Sequence, residues 1–270
     1  MAASFFVVPQ WQGSPSTRAM RLADGAHAIS HDLPSSSTTV VDVPAGAGDA
    51  LGTRVHRASS VIAVRNSLAT ALSTASAPAI TIGGDCGVAL AAVPHALRAD
   101  VAVLWFDAHP DLNTPESSPS GAFTGMVLRT LLGEGEPMLV PAHPLSPSQL
   151  VLVGARDIDE SEAQYIEAAG IPVLGSESTS DEVVEAVAAT GARSVYVHID
   201  LDVLDPAAVR GLGNPVPFGM QVEQVTSAIR AVLSRFPLAG AGISGFMPSS
   251  PADAGDDLGT ILRMIGALTR

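Results

Sequence analysis

Short apolar runs bounded by turn-forming residues alternate along the chain with longer, Ala-rich stretches. The runs at 4–9, 38–44, 78–84, 101–109, 150–157, 194–202 and 238–246 predict strands, and segments 57–76, 86–97, 122–133, 160–169, 181–190, 221–236 and 255–269 have the length and spacing of helices. Runs such as VAVLWF are apolar at every position, which suits strands covered on both faces and argues for a mainly parallel sheet. The predicted fold is therefore α/β: an open, doubly wound, mainly parallel sheet with helices on both faces. No internal repeat interrupts the pattern. The Ser/Pro-rich stretches 114–120 and 141–148 are short enough to be loops, so residues 1–270 are expected to form one domain.

In open α/β sheets, ligands sit beyond the carboxyl ends of the strands. Three predicted strands run directly into polar clusters there: GGDCG after 78–82, DAHPDLN at 107–113, and DLDVLDP at 200–206. Alternate residues of an extended chain point the same way, so Asp107, His109 and Asp111 can aim at one point, with Asp200 and Asp202 approaching it from another strand. A single Asp after a strand is ordinarily a turn former or helix cap. Four carboxylates meeting an imidazole are different, because burial and mutual repulsion raise their pKa values until a cation is bound. Hard oxygen donors with one imidazole suit Mn²⁺ better than Zn²⁺. Five or six ligands exceed what one catalytic ion needs, which points to a two-metal hydrolytic site.

Composition narrows the partners. With 27 Asp+Glu against 14 Lys+Arg, the formal net charge is −13, which opposes nucleic-acid phosphates and favours a small cationic or zwitterionic molecule. The single cysteine, Cys86, allows no internal disulfide and fits a reducing, cytoplasmic setting. No window approaches the ~20 apolar residues of a membrane span.

The clusters GGDCG, DAHPDLNTP and HIDLDVLDP, in that order, resemble the three metal motifs of the arginase/agmatinase (ureohydrolase) family, whose members hydrolyse guanidino groups with a water activated by two Mn²⁺ ions. The resemblance runs from about residue 78 to the end. It implies an arginase-like three-layer fold and two Mn²⁺ ions, one held by Cys86, Asp107, Asp111 and Asp200 and the other by Asp107, His109, Asp200 and Asp202. Asp107 and Asp200 would bridge. The resemblance further implies that Asn113, Ser118 and Ser120 receive the α-carboxylate of a guanidino amino acid. Asp159 and Glu162, in GARDIDESE, would hold its α-amino group, and Asn214 would lie near the guanidine. Asp111 or Asp202 would orient the attacking water or relay its proton to the leaving nitrogen.

Three departures from the family pattern bear on the substrate. Cys86 stands where GGDHS places a histidine, Thr124 in SGAFTG replaces the histidine of SGNLHG, and Gly245 in GISGFMP aligns with a glutamate that pairs with the guanidinium. Threonine does not titrate near neutrality, so it cannot shuttle protons as a histidine does. An arginine guanidinium, with a pKa of ~12.5–13.8, needs an anion to orient it. A hydroxylated guanidine is less basic and needs that anion less, and Gly245 is expected to leave room for the added hydroxyl. The Cys-for-His exchange resembles the branch of the family that converts Nω-hydroxy-L-arginine to hydroxyurea and L-ornithine in D-cycloserine biosynthesis. An ordinary arginase, another guanidino hydrolase and a degenerate, non-catalytic relative are the competing readings. His198 is assigned the opposite pleat parity from the ligands, hence a core or supporting role, and His143 lies in a loop that could swing toward the site. Trimeric arginases often use a C-terminal extension; here the last predicted helix leads directly to Arg270, and a monomer is expected.

Overall fold

The computed structural model describes residues 3–250 and 252–269. Strands β1 (Ser4–Val8), β2 (Thr38–Val40), β3 (Ala79–Gly83), β4 (Val101–Phe106), β5 (Leu150–Val153), β6 (Val173–Leu174), β7 (Ser194–Asp200) and β8 (Leu238–Ser244) form one sheet in the order β2-β1-β3-β8-β7-β4-β5-β6. All seven pairings are parallel, so the expected mainly parallel sheet is fully so.

The unbroken apolar runs follow from burial on both faces. In β4, Val101, Val103 and Trp105 enter one core layer and Ala102, Leu104 and Phe106 the other. Helices α2 (Ala58–Leu72), α3 (Ala89–Ala96) and α4 (Val127–Leu131) pack into the first layer. Helices α1 (Met20–Ser30), α6 (Ser180–Ala189), α7 (Val222–Arg235) and α8 (Ala254–Leu268) pack into the second. Helix α5 (Glu160–Ala169) lies on the α2 side, through Tyr165, Ile166 and Ala169.

The elements differ from the sequence reading where local signals are weak. Helix α1 carries Asp24 and Gly25 in mid-helix, poor helix formers, and no helix is expected there. Tertiary packing forms it: a Cβ at Gly25 would collide with the Phe246 carbonyl, so glycine lets this helix lie against the end of the sheet. Strand β6 has two residues, too few for any periodicity. The strand expected at 38–44 ends at Val40, and the helices expected at 86–97 and 122–133 each begin as a 3₁₀ turn, Cys86–Val88 and Thr124–Met126.

The strand order positions the site. β3 and β4 follow one another in the chain, yet β8 and β7 lie between them. Their carboxyl ends therefore deliver Cys86, Gly245, Asp200 and Asp107 along one crevice, where open α/β sheets bind ligands. Among the described residues, no helix is long and apolar enough to cross a membrane.

Candidate metal centre

A cavity of about 470 Å³ opens over the carboxyl ends of β3, β4, β7 and β8. Its lining carries seven Asp, one Glu and no Lys or Arg, so it selects for cations. Within it, ligand atoms of Cys86, Asp107, His198 and Asp200 lie within 4.8 Å of one another, and those of Asp107, His109 and Asp202 form a second such group. Asp107 belongs to both.

Backbone geometry sets each of these side chains. Asp85 caps the 3₁₀ turn after β3: its Oδ1 accepts from Gly87 N at 2.9 Å and Gln10 Nε2 at 2.7 Å, and its Oδ2 from Gly13 N at 2.8 Å. Burial lifts the Asp85 carboxyl to about 6 against these bonds. The turn aims Cys86 at Asp200, whose Oδ2 accepts from the thiol at 2.8 Å and from Ser244 Oγ at 3.0 Å, while its Oδ1 accepts from Asp202 N at 3.1 Å. Asp107 accepts from Trp105 Nε1 at 3.2 Å and from His109 N at 2.8 Å. Asp111 adopts a left-handed backbone with φ of 54°, and its carbonyl accepts from Leu128 N and Arg129 N at the start of α4. Asp tolerates that conformation better than most residues, and it turns the side chain into the cavity.

The electrostatics call for a cation. Burial, and then the neighbouring carboxylates, push Asp107 and Asp111 well above the usual carboxyl range, and burial followed by Asp202 raises Asp200 to about 7. Burial and then the charges of Asp200, Asp111 and Asp107 hold the Cys86 thiol protonated. One oxygen of Asp111, Oδ2, is buried without a hydrogen-bond partner, an arrangement that costs free energy unless something binds it. A hard divalent cation removes both problems, and the donor set of carboxylates, one imidazole and one thiol can hold it.

His109 stands between the two chemistries. Its Nδ1 faces Asp202 Oδ2 at 3.1 Å and Asp107 Oδ1 at 3.4 Å; its Nε2 faces Asn214 Nδ2 at 2.9 Å and Asp157 Oδ2 at 3.5 Å. Burial lowers its pKa, but the bonds to Asp107 and Asp202 outweigh burial and carry it to about 12. As a ligand through Nδ1, the ring would keep its proton on Nε2, where Asp157 Oδ2 can accept it, the usual outer support for a metal-bound histidine.

The remaining expected residues divide into free and engaged groups. Ser118 and Ser120 line the cavity; each hydroxyl oxygen accepts a backbone N–H (Gly121 at 3.1 Å, Ala122 at 3.2 Å), leaving its O–H free to donate. Asn113 also lines it, but its amide is bound: Nδ2 donates to Asp159 Oδ2 at 2.8 Å, and Oδ1 accepts from Ser117 and Ser161. Both oxygens of Glu162 accept backbone N–H groups, Leu112 at 2.8 Å and Asp159 at 3.0 Å, in the capping box that opens α5. Thr124 faces the cavity, whereas His143 is exposed and outside its lining.

Two expectations require correction. His198 does not have the opposite parity from Asp200: residues two apart in a strand share a face, and His198 stacks on Trp105 with centroids 3.6 Å apart, inside the Cys86 group. Burial pushes its pKa down to about 3, so the ring is neutral. Gly245 does not leave open space. Its φ is +86°, and a Cβ there would collide with the Asp200 carboxylate. Glycine at 245 admits Asp200 itself.

Sequence reasoning passed over Ser14, Pro15, Ser16 and Leu22, which wall the cavity from the β1 side, and Asp157 and Ser244, which support His109 and Asp200. Asp157 and Ser244 lie within the quoted motifs GARDIDESE and GISGFMP; the β1-side wall has no motif to betray it.

A model of the arginase family matches residues 14–255. Over 158 residues the chain is 37% identical to N(omega)-hydroxy-L-arginine amidinohydrolase from Streptomyces lavendulae, a match covering 57% of this chain and 55% of that protein. Arginase from Staphylococcus aureus (strain COL) is 33% identical over 157 residues, 54% of this chain and 52% of the relative. The matched region thus spans about half the length of these curated relatives. The crystal structure of Entamoeba histolytica arginase in complex with L-ornithine superposes with a TM-score of 0.86 at 26% identity, covering 98% of this chain and 97% of that one.

Proposed function

The chain belongs to the arginase family, and from that premise we propose that it is a two-manganese amidinohydrolase that cleaves Nω-hydroxy-L-arginine to hydroxyurea and L-ornithine. The observation that carries the reading is the pair of ligand groups joined at Asp107 in a cavity lined by no Lys or Arg. In the assignment we propose, Cys86, Asp107, Asp111 and Asp200 hold one ion and Asp107, His109, Asp200 and Asp202 the other. His198 stays a neutral support behind Asp200, its Nε2 3.4 Å from Ser244 Oγ.

Bound divalent ions supply a water acidic enough to act as a nucleophile near neutral pH. The protein's part is orientation and proton traffic. Asp111 and Asp202 line the cavity, where a carboxylate oxygen not holding an ion can orient that water and pass its proton to the departing ornithine nitrogen. The free O–H groups of Ser118 and Ser120 suit a substrate α-carboxylate, and Asp159, with Glu162 and Asn113 fixing its loop, suits the α-amino group. Asn214, bonded to His109, is placed to sense the guanidine end.

Three features support the hydroxylated substrate over L-arginine. Position 245 has no carboxylate to pair with a guanidinium, and the packing of Asp200 against Gly245 prevents one from being installed. Thr124 cannot serve as a titrating proton shuttle. A Streptomyces relative with that named activity is 37% identical over the matched region. We also propose that residues 1–270 form one catalytic domain active as a monomer, and that it works in the cytoplasm, where the Cys86 thiol stays reduced.

The test is ornithine release by Mn²⁺-loaded protein, with kcat/KM measured for Nω-hydroxy-L-arginine and L-arginine side by side. A ratio strongly favouring the hydroxylated substrate is expected. A ratio favouring L-arginine would assign an arginase, and no hydrolysis across a panel of guanidino compounds, with metal bound, would assign a non-catalytic relative.

A further inference from the structure

Arg156, directly beyond β5, spends its guanidinium on backbone carbonyls rather than on a carboxylate. Its Nη2 donates to Asp202 O at 2.8 Å and Val216 O at 2.7 Å, its Nη1 to Gly154 O at 3.0 Å and Val203 O at 3.3 Å, and its Nε to Pro217 O at 3.1 Å. Its own backbone N–H donates to Ala108 O at 2.9 Å. Ala108 N in turn donates to Asp202 Oδ1 at 3.1 Å. One residue thus joins the segment bearing Asp107 and His109, the turn bearing Asp202, and the loop whose Asn214 meets His109. The other ligand group is built differently: Cys86 is set by Asp85, Gln10 and Gly13, none of which Arg156 touches.

The loop it grips needs outside support. Phe218 is 84% exposed and holds φ at +64°, a conformation costly for a bulky residue. Gly219 packs so closely on Leu204 that a Cβ would collide with that backbone, and its N–H reaches Asp205 Oδ2 at 3.2 Å. Arg156 holds the same loop through Val216 and Pro217. A planar fork with five N–H donors can serve all these carbonyls at once, and a lysine, with three donors at one point, cannot.

We infer that Arg156 is a positioning residue for one half of the metal centre: it fixes the Asp107–His109–Asp202 group and the Asn214 wall as one unit, while the turn that carries Cys86 is held without it. The inference rests on the metal reading proposed above, and its test separates the two. Mn²⁺ titration of wild type, Arg156→Lys and Arg156→Met is followed calorimetrically, and backbone hydrogen exchange is measured on the metal-free proteins. Wild type is expected to show two classes of site. Both variants are expected to weaken one class at least tenfold, weaken the other, which shares Asp107, distinctly less, and lose exchange protection at 201–204 and 213–219 but not at 84–88. Lysine keeps the charge, so full function in Arg156→Lys would reduce the role to electrostatics and overturn the inference. Equal weakening of both classes, or protection lost equally at 84–88, would overturn it too. If wild type bound no Mn²⁺, the metal reading would fail, and the exchange pattern alone would decide whether Arg156 holds the two segments.

Discussion

The Cys86 thiol donates to Asp200 Oδ2 across 2.8 Å, although the two residues lie 114 positions apart in the chain. The end of β3 and the end of β7 meet there because β8 alone separates these strands. In the ligand role we propose for Cys86, a metal would displace the thiol proton and take the thiolate. Cys86→Ala should lower bound Mn²⁺ from two equivalents toward one, measured by elemental analysis. Cobalt-loaded wild type should show thiolate-to-metal charge-transfer absorption that Cys86→Ala lacks; the same spectrum in both would make Cys86 a bystander.

Asp202 works on three partners at once, taking Ala108 N on Oδ1, facing His109 on Oδ2, and lending its own N–H to Asp200. Asp202→Ala should therefore abolish turnover, by at least 10³-fold as expected when a metal site is lost, and cut metal content. Full activity with stoichiometric metal would refute the ligand assignment.

Stability without metal should fall as pH rises. Asp200 is raised to about 7 and Asp85 to about 6, against ~3.9 for an unfolded Asp. Between those values the folded chain binds more protons than the unfolded one, so their contribution is present at low pH and lost through the folded pKa. His109, raised to about 12, extends the same sign above its unfolded ~6.5. With a chelator present, Tm should be lower at pH 8 than at pH 5. Saturating Mn²⁺ should close or reverse that gap, because it needs the deprotonated ligands. A metal-free Tm that rises over this range would mean that the carboxylates are not buried together.

Much of this site could be read from residue spacing. The i, i+2 rhythm of Asp107, His109 and Asp111 and of Asp200 and Asp202 marked the residues, although the chain is not extended there, since Asp111 has a left-handed backbone and Asp202 lies in the 3₁₀ turn Leu201–Val203; apolar runs such as β4 announce a sheet covered on both faces. What escaped was set by contacts distant in sequence. The Gly25 approach that seats α1, the Arg156 bridge to Val216 and Pro217, and the Asp200 carboxylate filling the Gly245 position involve partners 45 to 221 residues apart with no local signature. His198 was legible in principle, since its place two residues before Asp200 already fixes its face.

Gly245 offers a test of that last packing. With φ at +86° and Asp200 against its missing Cβ, Gly245→Ala should cost about 1–3 kcal/mol. It should weaken Mn²⁺ binding as well, because Asp200 must move. Gly245→Glu should fail to create an arginase for the same reason. Denaturant unfolding and Mn²⁺ titration check both, and a Gly245→Ala protein matching wild type in each would show that Asp200 can shift freely.

The hydroxyls of Ser118 and Ser120 separate recognition of the amino-acid end from chemistry at the guanidine. Each oxygen is already occupied as an acceptor by a loop N–H, so what remains is an O–H donor aimed at an anion in a cavity that otherwise repels anions. Replacing both by alanine should raise KM for Nω-hydroxy-L-arginine by roughly tenfold or more, since a hydrogen bond to a charged group contributes about 1.5–3 kcal/mol, while kcat changes little. The decarboxylated analogue, lacking the α-carboxylate, should be turned over equally by wild type and the double variant. An equal loss on both substrates would mean that the serines hold the 114–120 loop in place and do not touch the carboxylate.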